Sequence, residues 1–187
     1  NIVSTIVEQR DPSTAGHQQR VAELAAAIAE ALNFPPHKIE GIRVAGLIHD
    51  VGKIAIPSEI LTKPCKLSPI EMGLVKLHAN AGFDILKNID FPWPISQAIQ
   101  QHHERMNGSG YPSGLSGGEI IPEARILAVA DVVEAMLSHR PYRPGLGIDK
   151  TMEEIESNKG ILYDERVVDA CVDLFCNKSF KFSSNPL

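Results

Sequence analysis

Residues 46–57 read GLIHDVGKIAIP, a pattern that predicts an apolar helix leading directly into a histidine and an aspartate. Ile42 and Ala45 stand seven and four residues before His49, so they share its helical face. Gly52 is typical of a helix C-cap, which predicts that the helix ends there. We therefore expect an imidazole and a carboxylate at the buried end of a helix, where both need polar partners.

Apolar residues recur at helical spacing through almost the whole chain, and no strand pattern stands out. A first helix is predicted to open at Asp11-Pro12. The capping box at Ser68 predicts one continuous helix that reaches Ile85. Asp149 and Asp164 are typical N-caps of two further helices. We therefore expect an all-α, single-domain helical bundle.

Three segments are expected along the chain. Residues 1–10 are predicted to be the end of a linker helix from an upstream domain, residues 11–176 the folded domain, and residues 177–187 a frayed tail. The chain does not begin with Met, which agrees with a piece of a longer protein.

Composition narrows the functional class. The chain has 187 residues, of which 43% are hydrophobic and 22% charged, as in ordinary globular proteins. The net charge of −5 argues against binding of long nucleic acids, which needs a broad basic surface. No run approaches the roughly 18 apolar residues of a membrane helix. The three cysteines form no CxxC pair, which favours a reducing compartment and predicts a cytoplasmic protein.

Several polar residues fall on faces that the spacing assigns to the protein interior; His78, for example, lies between Leu74 and Ala81. Taken alone, each is more often a hydrogen-bonded core residue than a ligand. Taken together, they leave too many buried polar groups without partners, and shared metal ligation supplies those partners. The set comprises His17, His49, Asp50, His78, His102, His103 and Asp131.

The size of this set predicts two metal ions. One divalent ion takes about four to six ligands, so the set is too large for a single tetrahedral site. Asp50, adjacent to His49, is the candidate bridge between the ions. The ligand types suit iron, manganese, zinc or nickel, whereas calcium and magnesium prefer oxygen ligands. Paired ions generate a hydroxide and clamp phosphoryl oxygens, so phosphate-ester hydrolysis is the expected chemistry.

Three cations and one loop are further candidates. Lys53 follows the His-Asp pair by one helical turn, and position alone leaves it open between the site and the surface. For Arg140 and Arg143, position favours the surface. The glycines and prolines of residues 105–119, RMNGSGYPSGLSGGE, predict a loop. Position alone favours a plain turn there, with Tyr111 packing as a lid.

The ordered motifs resemble a known family. The pattern His17, His49-Asp50 and Asp131 is similar to that of the HD phosphohydrolase superfamily. The additions HHERMNGSGYP at 102–112 and DVVEAMLSHRPYR at 131–143 resemble its HD-GYP subfamily. The resemblance covers nearly the whole chain and implies an all-helical bundle with cyclic di-GMP phosphodiesterase activity that gives linear pGpG and in some members GMP.

The resemblance also implies a division of the ligands. One ion would be held by His17, His49, Asp50 and Asp131, and the other by Asp50, His78, His102 and His103.

Further roles follow from the same resemblance. Lys53 would contact the scissile phosphate beside the catalytic Asp50, and Arg140 and Arg143 would bind the other phosphate or a guanine. The motif loop Gly110-Tyr111-Pro112 would form the substrate mouth through Tyr111 or contact a protein partner. Members of this family usually follow a receiver or sensor domain in a longer chain.

Some features keep alternatives open. Ser13 stands where some members carry a Glu that could hold a third metal, so a two-metal site is expected. The base pocket has no clean motif, which leaves 3′,3′-cyclic GMP-AMP as an alternative substrate. A catalytically silent cyclic-dinucleotide receptor is a second alternative. A mononuclear HD nucleotidase is a third, but it would leave His78, His102 and His103 unexplained.

Overall fold

The protein was analysed as a computed structural model that describes Thr5 and residues 16–138 and 145–183. Within these ranges the regular structure is helical, with two isolated β-bridges, Asn107–Ser116 and Lys159–Tyr163. The α-helices with described bounds are α1 His17–Ala31, α2 Pro36–Ile48, α3 Ser58–Leu61, α4 Pro69–Lys76, α5 His78–Leu86, α6 Ile95–Gln101, α7 Pro122–Leu137, α8 Ile148–Ser157 and α9 Glu165–Cys176. Two 3-10 helices cover Val51–Ala55 and Gly117–Glu119. The predicted all-α bundle is confirmed.

Helix α1 lies at the centre of the bundle and packs on α2, α7 and α9. Ten of its 15 residues are buried, including Leu24 and Ile28. Small residues allow its neighbours to approach closely, since a Cβ added to Gly46 of α2 would lie 2.7 Å from the Ala22 Cα. The apolar surface that α1 removes from water is a main source of the bundle's stability.

Among the described residues, no helix is long and apolar enough to cross a membrane.

The C-terminal helices close the other side of the core. Asp164 is the N-cap of α9, as predicted, and its carboxylate accepts from the Arg166 and Val167 amides. The prediction for Asp149 is wrong, because Gly147 caps α8 and Asp149 lies in its first turn. Beyond α9, the aromatic rings of two phenylalanines, Phe180 and Phe182, pack with Phe175 against the core.

The prediction of one continuous helix from Ser68 to Ile85 is wrong. The capping box at Ser68 is present, but α4 ends at Lys76 and α5 begins at His78. Helix α5 packs on the first 3-10 helix and on α6, whereas α4 buries none of its residues. The break therefore turns α5 inward and leaves α4 at the surface.

The apolar stripe used to predict an inward face is also exposed. Ile70 is 80% exposed and Leu77 52%, while His78 beside them is 1% exposed. His78 is therefore buried because α5 packs on the first 3-10 helix and on α6, and not because it shares an inward face with Leu74.

The prediction that Gly52 is a C-cap is wrong. Helix α2 already ends at Ile48, and Gly52 lies inside the 3-10 helix that follows. A Cβ at this position would lie 1.9 Å from the His78 carbonyl oxygen and 2.5 Å from the Gly82 amide nitrogen. Gly52 is required because the backbones of the 3-10 helix and of α5 touch there.

Gly52→Ala should destabilise the protein by about 1–3 kcal/mol or more, because the added methyl group forces two backbones apart. Urea unfolding monitored by circular dichroism measures this change. Gly73→Ala in α4 is the matched control, since a Cβ there meets nothing within 4 Å. It should be neutral or slightly stabilising, as expected for replacing an exposed helical glycine. Equal stability of the two variants would contradict the close approach at Gly52.

Candidate metal centre

All seven predicted ligands meet at one place in the bundle. His17 begins α1 and Asp131 lies within α7, while the other five stand next to helix ends. Three sets of their ligand atoms lie within 4.8 Å of one another and could hold a metal ion: His17, His49 and Asp50; His49, His102 and Asp131; and His78, His102 and His103. The structure therefore brings together side chains from five helices that are far apart in sequence.

Three of these histidines are oriented by the backbone. Each Nδ1 bonds a carbonyl three residues earlier, in the last turn of the preceding helix, where carbonyls lack an intrahelical partner. A carbonyl only accepts, so Nδ1 donates and Nε2 presents its lone pair. The bonds join His49 to Gly46, His78 to Val75 and His102 to Ile99, at 2.7, 2.7 and 2.5 Å.

The three Nε2 atoms face one another in the interior. His49, His78 and His102 are at most 1% exposed, and their Nε2 atoms have no hydrogen-bond partner among the described residues. A buried polar atom without a partner is unfavourable. Lone pairs that converge beside carboxylates satisfy that requirement when they ligate a cation, so the residues fit a metal site.

Asp50 lies between two sets of histidines. Its Oδ2 is 3.5 Å from Nε2 of His49 and 3.9 Å from Nε2 of His17. Its Oδ1 is 3.5 Å from Nε2 of His78. Asp131 adds an oxygen 3.3 Å from Nε2 of His17. Ligand atoms that share one ion at about 2.1 Å lie about 3–3.5 Å apart. Three of these four separations fall in that range, whereas the 3.9 Å from Asp50 to His17 exceeds it. Each oxygen of Asp50 therefore lies close enough to a histidine for the two to share an ion.

Metal ligation needs neutral imidazoles and ionised carboxylates. The pKa shifts of His102, His103 and Asp50 favour those states, whereas the raised pKa of His17 favours its protonated form until a metal displaces the proton. Burial lowers the pKa of His102 to about 3, with a further contribution from His49. Burial likewise lowers the pKa of His103 well below its usual range. Burial disfavours the charged form of Asp50, but the nearby Lys53 and histidines outweigh it and hold its pKa well below the ordinary value.

His17 is oriented by a side chain that sequence reasoning missed. Its Nδ1 is hydrogen-bonded to the Glu134 carboxylate. Glu134 also accepts from Nε of Arg20 at 2.7 Å and from the Ser138 hydroxyl at 2.5 Å. Burial lowers the pKa of His17, but hydrogen bonds to Asp131 and Glu134 outweigh it and raise the pKa to about 9.

A weak signal for Glu134 was present in the sequence. It stands three residues after Asp131, so both lie on one face of α7. Such a carboxylate behind a ligating histidine fixes the ring and strengthens the ligand. His17 differs in this respect from the three histidines that bond backbone carbonyls.

The cluster is closed on one side and opens to solvent on the other. The side chains of His49 and Asp50 are 1% and 4% exposed, whereas those of Lys53 and Asp131 are 14% and 16% exposed. Nζ of Lys53 lies 2.8 Å from Oδ2 of Asp50. A ligand can therefore approach the cluster beside Lys53, and the contact of Lys53 with a phosphate stays a prediction.

The motif loop lies at this opening. The Tyr111 ring stacks on the His103 ring, with centroids 4.7 Å apart and planes at 26°. Lys76 of α4, which the sequence did not single out, places its ammonium 5.0 Å from the centre of the Tyr111 ring. Tyr111 is joined to Pro112 by a cis peptide bond. Tyr111 thus packs on His103 at the opening, and its role as a lid stays a prediction.

Three predicted positions lie outside the described residues. They are Arg140 and Arg143, which follow α7, and Ser13, which precedes α1. Their predicted roles stay predictions.

A family model described as HD domain matches residues 1–167 of the 187. The chain belongs to the HD domain family. The candidate ligands of this cluster are the same residues that carry the resemblance in the sequence.

Curated relatives of this HD domain protein are described as phosphodiesterases. The cyclic di-GMP phosphodiesterase response regulator RpfG of Xanthomonas campestris is 40% identical over 88% of this chain and 44% of its own length. A cyclic di-GMP phosphodiesterase of Thermotoga maritima is 40% identical over 92% of this chain and 48% of its own. The 3′3′-cGAMP-specific phosphodiesterase 3 of Vibrio cholerae is 37% identical over 82% of this chain and 33% of its own.

The matches cover 44% and 48% of the first two of these relatives, so the HD domain chain spans slightly less than half the length of each. Among solved structures, the HDG"Y"P protein Bd1817 of Bdellovibrio bacteriovorus superposes with a TM-score of 0.71, at 22% identity over 85% of this chain and 51% of its own. This likeness confirms the fold. The resemblance to HD-GYP proteins is confirmed by these matches together.

Glu134→Gln should lower the affinity for Mn²⁺ by about 10–100-fold, because a neutral amide cannot hold both His17 and Arg20 as the carboxylate does. Isothermal titration of the purified HD domain measures the change. Glu123→Gln, in the first turn of the same helix, is the control and should bind Mn²⁺ within about twofold of wild type. Unchanged affinity in Glu134→Gln would show that Glu134 does not orient His17.

Proposed function

We propose that this HD domain is a metal-dependent phosphodiesterase that hydrolyses cyclic di-GMP to linear pGpG. The observation that carries the proposal is the convergence of three buried Nε2 atoms that have no hydrogen-bond partner among the described residues. Those of His49 and His78 lie 3.5 Å from Asp50, and His102 shares a set with His49 and Asp131. A site of this kind, open beside Lys53, suits a phosphodiester. The printed activities of the relatives from Xanthomonas and Thermotoga support cyclic di-GMP as the substrate.

A second substrate has a specific observation in its favour. The Vibrio cholerae relative is described as specific for 3′3′-cGAMP and is 37% identical to this chain. Both substrates are cyclic dinucleotides with the same phosphodiester ring, so the same ligands would serve. The bases distinguish them, and the residues predicted to contact a base, Arg140 and Arg143, are not among those that the structure describes.

The proposed cofactors are two divalent transition metals, with iron or manganese ahead of zinc or nickel. One would be held by His17, His49, Asp50 and Asp131, and the other by Asp50, His78, His102 and His103. When bound, such ions lower the pKa of water towards neutrality and neutralise charge on phosphate oxygens.

The chain's own residues would then bind and orient the phosphodiester. Lys53 stands at the opening, where its ammonium can turn from Asp50 to an oxygen of the scissile phosphate. Tyr111 and His103 form one wall of the same opening and limit the access of water.

The reaction balances as a hydrolysis. A water oxygen forms a bond to phosphorus, and the bond from phosphorus to the 3′ oxygen breaks. The attacking water gives up one proton to solvent, and the 3′ oxygen takes one up from solvent and leaves as a hydroxyl. Lys53 is the side chain at the opening that would stabilise the charge which develops on the 3′ oxygen. The product is a linear dinucleotide with a 5′ phosphate.

Other parts of the proposal concern the longer protein. Since relatives are about twice the length of this chain, an upstream receiver or sensor domain is proposed to regulate it. A protein partner that contacts the motif loop, and a cytoplasmic location, also remain predictions.

The function is tested by measuring metal content and turnover in one preparation. Protein purified without oxygen should contain about two iron or manganese ions per chain. It should convert cyclic di-GMP to pGpG in a chromatographic assay. Two bound metals without turnover of cyclic di-GMP or 3′,3′-cyclic GMP-AMP would contradict the proposed enzyme and favour a receptor.

Two variants separate metal binding from catalysis. His49→Ala combined with Asp50→Ala should lose metal and activity together, because both sites lose a ligand. Lys53→Ala should keep its metal and lose about 100-fold in kcat, since a group that stabilises developing charge is removed. Metal analysis beside steady-state kinetics distinguishes the two cases. An unchanged kcat in Lys53→Ala would place Lys53 outside the mechanism.

A further inference from the structure

Glu104 follows the two ligands His102 and His103 and has no place in the metal sets. It is 2% exposed, which is unusual for a carboxylate that has no cationic partner among the described residues. Both of its oxygens accept from backbone amides just after the motif loop: Oε1 from Ser113 at 2.7 Å and Oε2 from Leu115 at 3.0 Å. These two bonds therefore hold the loop.

The loop lies directly on the backbone that carries Glu104. A Cβ added to Gly110 would lie 2.4 Å from the Glu104 Cα and 2.5 Å from the His103 carbonyl oxygen. The next amide, that of Tyr111, donates to the same His103 carbonyl at 3.2 Å. Glycine is required for this approach, and the approach places the Tyr111 ring beside the His103 ring.

His103 is oriented differently from the other ligating histidines. The described contacts of its ring are with other rings: His102 at 3.9 Å, Tyr111 at 4.7 Å and His78 at 5.1 Å between centroids. His102 is itself fixed by the Ile99 carbonyl. Tyr111 is therefore the wall that holds His103 from the outer side, and Glu104 holds the loop that carries Tyr111.

We propose that Glu104 is a positioning residue that acts through Tyr111 to hold His103 in its ligating orientation. The proposal rests on the proposed metal-dependent function and deepens it, because the motif loop becomes part of the metal site's support as well as its mouth. A carboxylate with a purely local role in folding the loop would not change the behaviour of His103.

Two variants test the two steps of the proposal, from Glu104 to Tyr111 and from Tyr111 to His103. Glu104→Gln keeps the shape, but its amide group cannot accept from the second loop amide, so the loop loses one bond. Tyr111→Leu keeps both Glu104 bonds and removes the aromatic wall. Glu119→Gln is the control, since Glu119 accepts from the Ser116 amide of the same loop but is exposed.

The first readout is hydrogen exchange of single amides by NMR. In Glu104→Gln, the amides of Tyr111, Ser113 and Leu115 should exchange about tenfold faster or more, because the loop loses one of its two bonds to Glu104 and opens more often. In the control variant these three amides should exchange as in wild type. Exchange within twofold of wild type in Glu104→Gln would overturn the proposal.

The second readout is Mn²⁺ affinity by isothermal titration, with kcat/KM for cyclic di-GMP measured alongside. Glu104→Gln and Tyr111→Leu should each weaken the binding of one of two Mn²⁺ ions by about tenfold. The double variant should be no weaker than Tyr111→Leu alone, because Glu104 acts through Tyr111. Losses that multiply in the double variant, or full Mn²⁺ affinity in Tyr111→Leu, would overturn the proposal.

The two readouts separate this proposal from the proposed function. If wild type turns over neither cyclic dinucleotide, the proposed function fails, while exchange and Mn²⁺ affinity still decide the role of Glu104. If Glu104→Gln does not fold, Tyr111→Leu decides: weakened Mn²⁺ binding supports the proposal, and unchanged binding overturns it.

Discussion

A hydrogen bond from a histidine Nδ1 to the carbonyl three residues earlier determines how this site is built. His49, His78 and His102 all make it. The bond is available because a helix stops and leaves its last carbonyls free. It holds the proton on Nδ1 and turns Nε2 to the interior. Three helices of the bundle must therefore end around one point. This requirement explains why an imidazole and a carboxylate lie at a buried helix end.

Sequence reasoning could predict the all-α fold and bring seven ligands together, because each feature leaves a periodic signal along one helix. His17 and Asp131, for example, share apolar faces with their neighbours in the core helices α1 and α7. The agreement at His78 has a different cause. The stripe that predicted its burial is exposed, and the ring is buried because α5 packs on the first 3-10 helix and on α6. The burial of His78 was thus predicted correctly from a continuous helix that the structure does not contain.

The remaining features depend on contacts that no local pattern records. Glu134 meets His17 across 117 positions of sequence, and Gly52 is required by a carbonyl of α5 rather than by the end of its own helix. Glu104 was visible only as part of a motif. The role of Glu104 depends on which backbone amides of the folded loop point towards its carboxylate, and no local sequence pattern indicates this.

The use of backbone carbonyls has a consequence for sequence drift. The acceptors for His78 and His102 belong to Val75 and Ile99, and any residue at those positions presents the same carbonyl. Substitution there alters packing but leaves the orientation of the imidazole unchanged. His17, by contrast, depends on the identity of Glu134. One end of the cluster can therefore diverge freely around fixed histidines, whereas the other end must evolve as a pair.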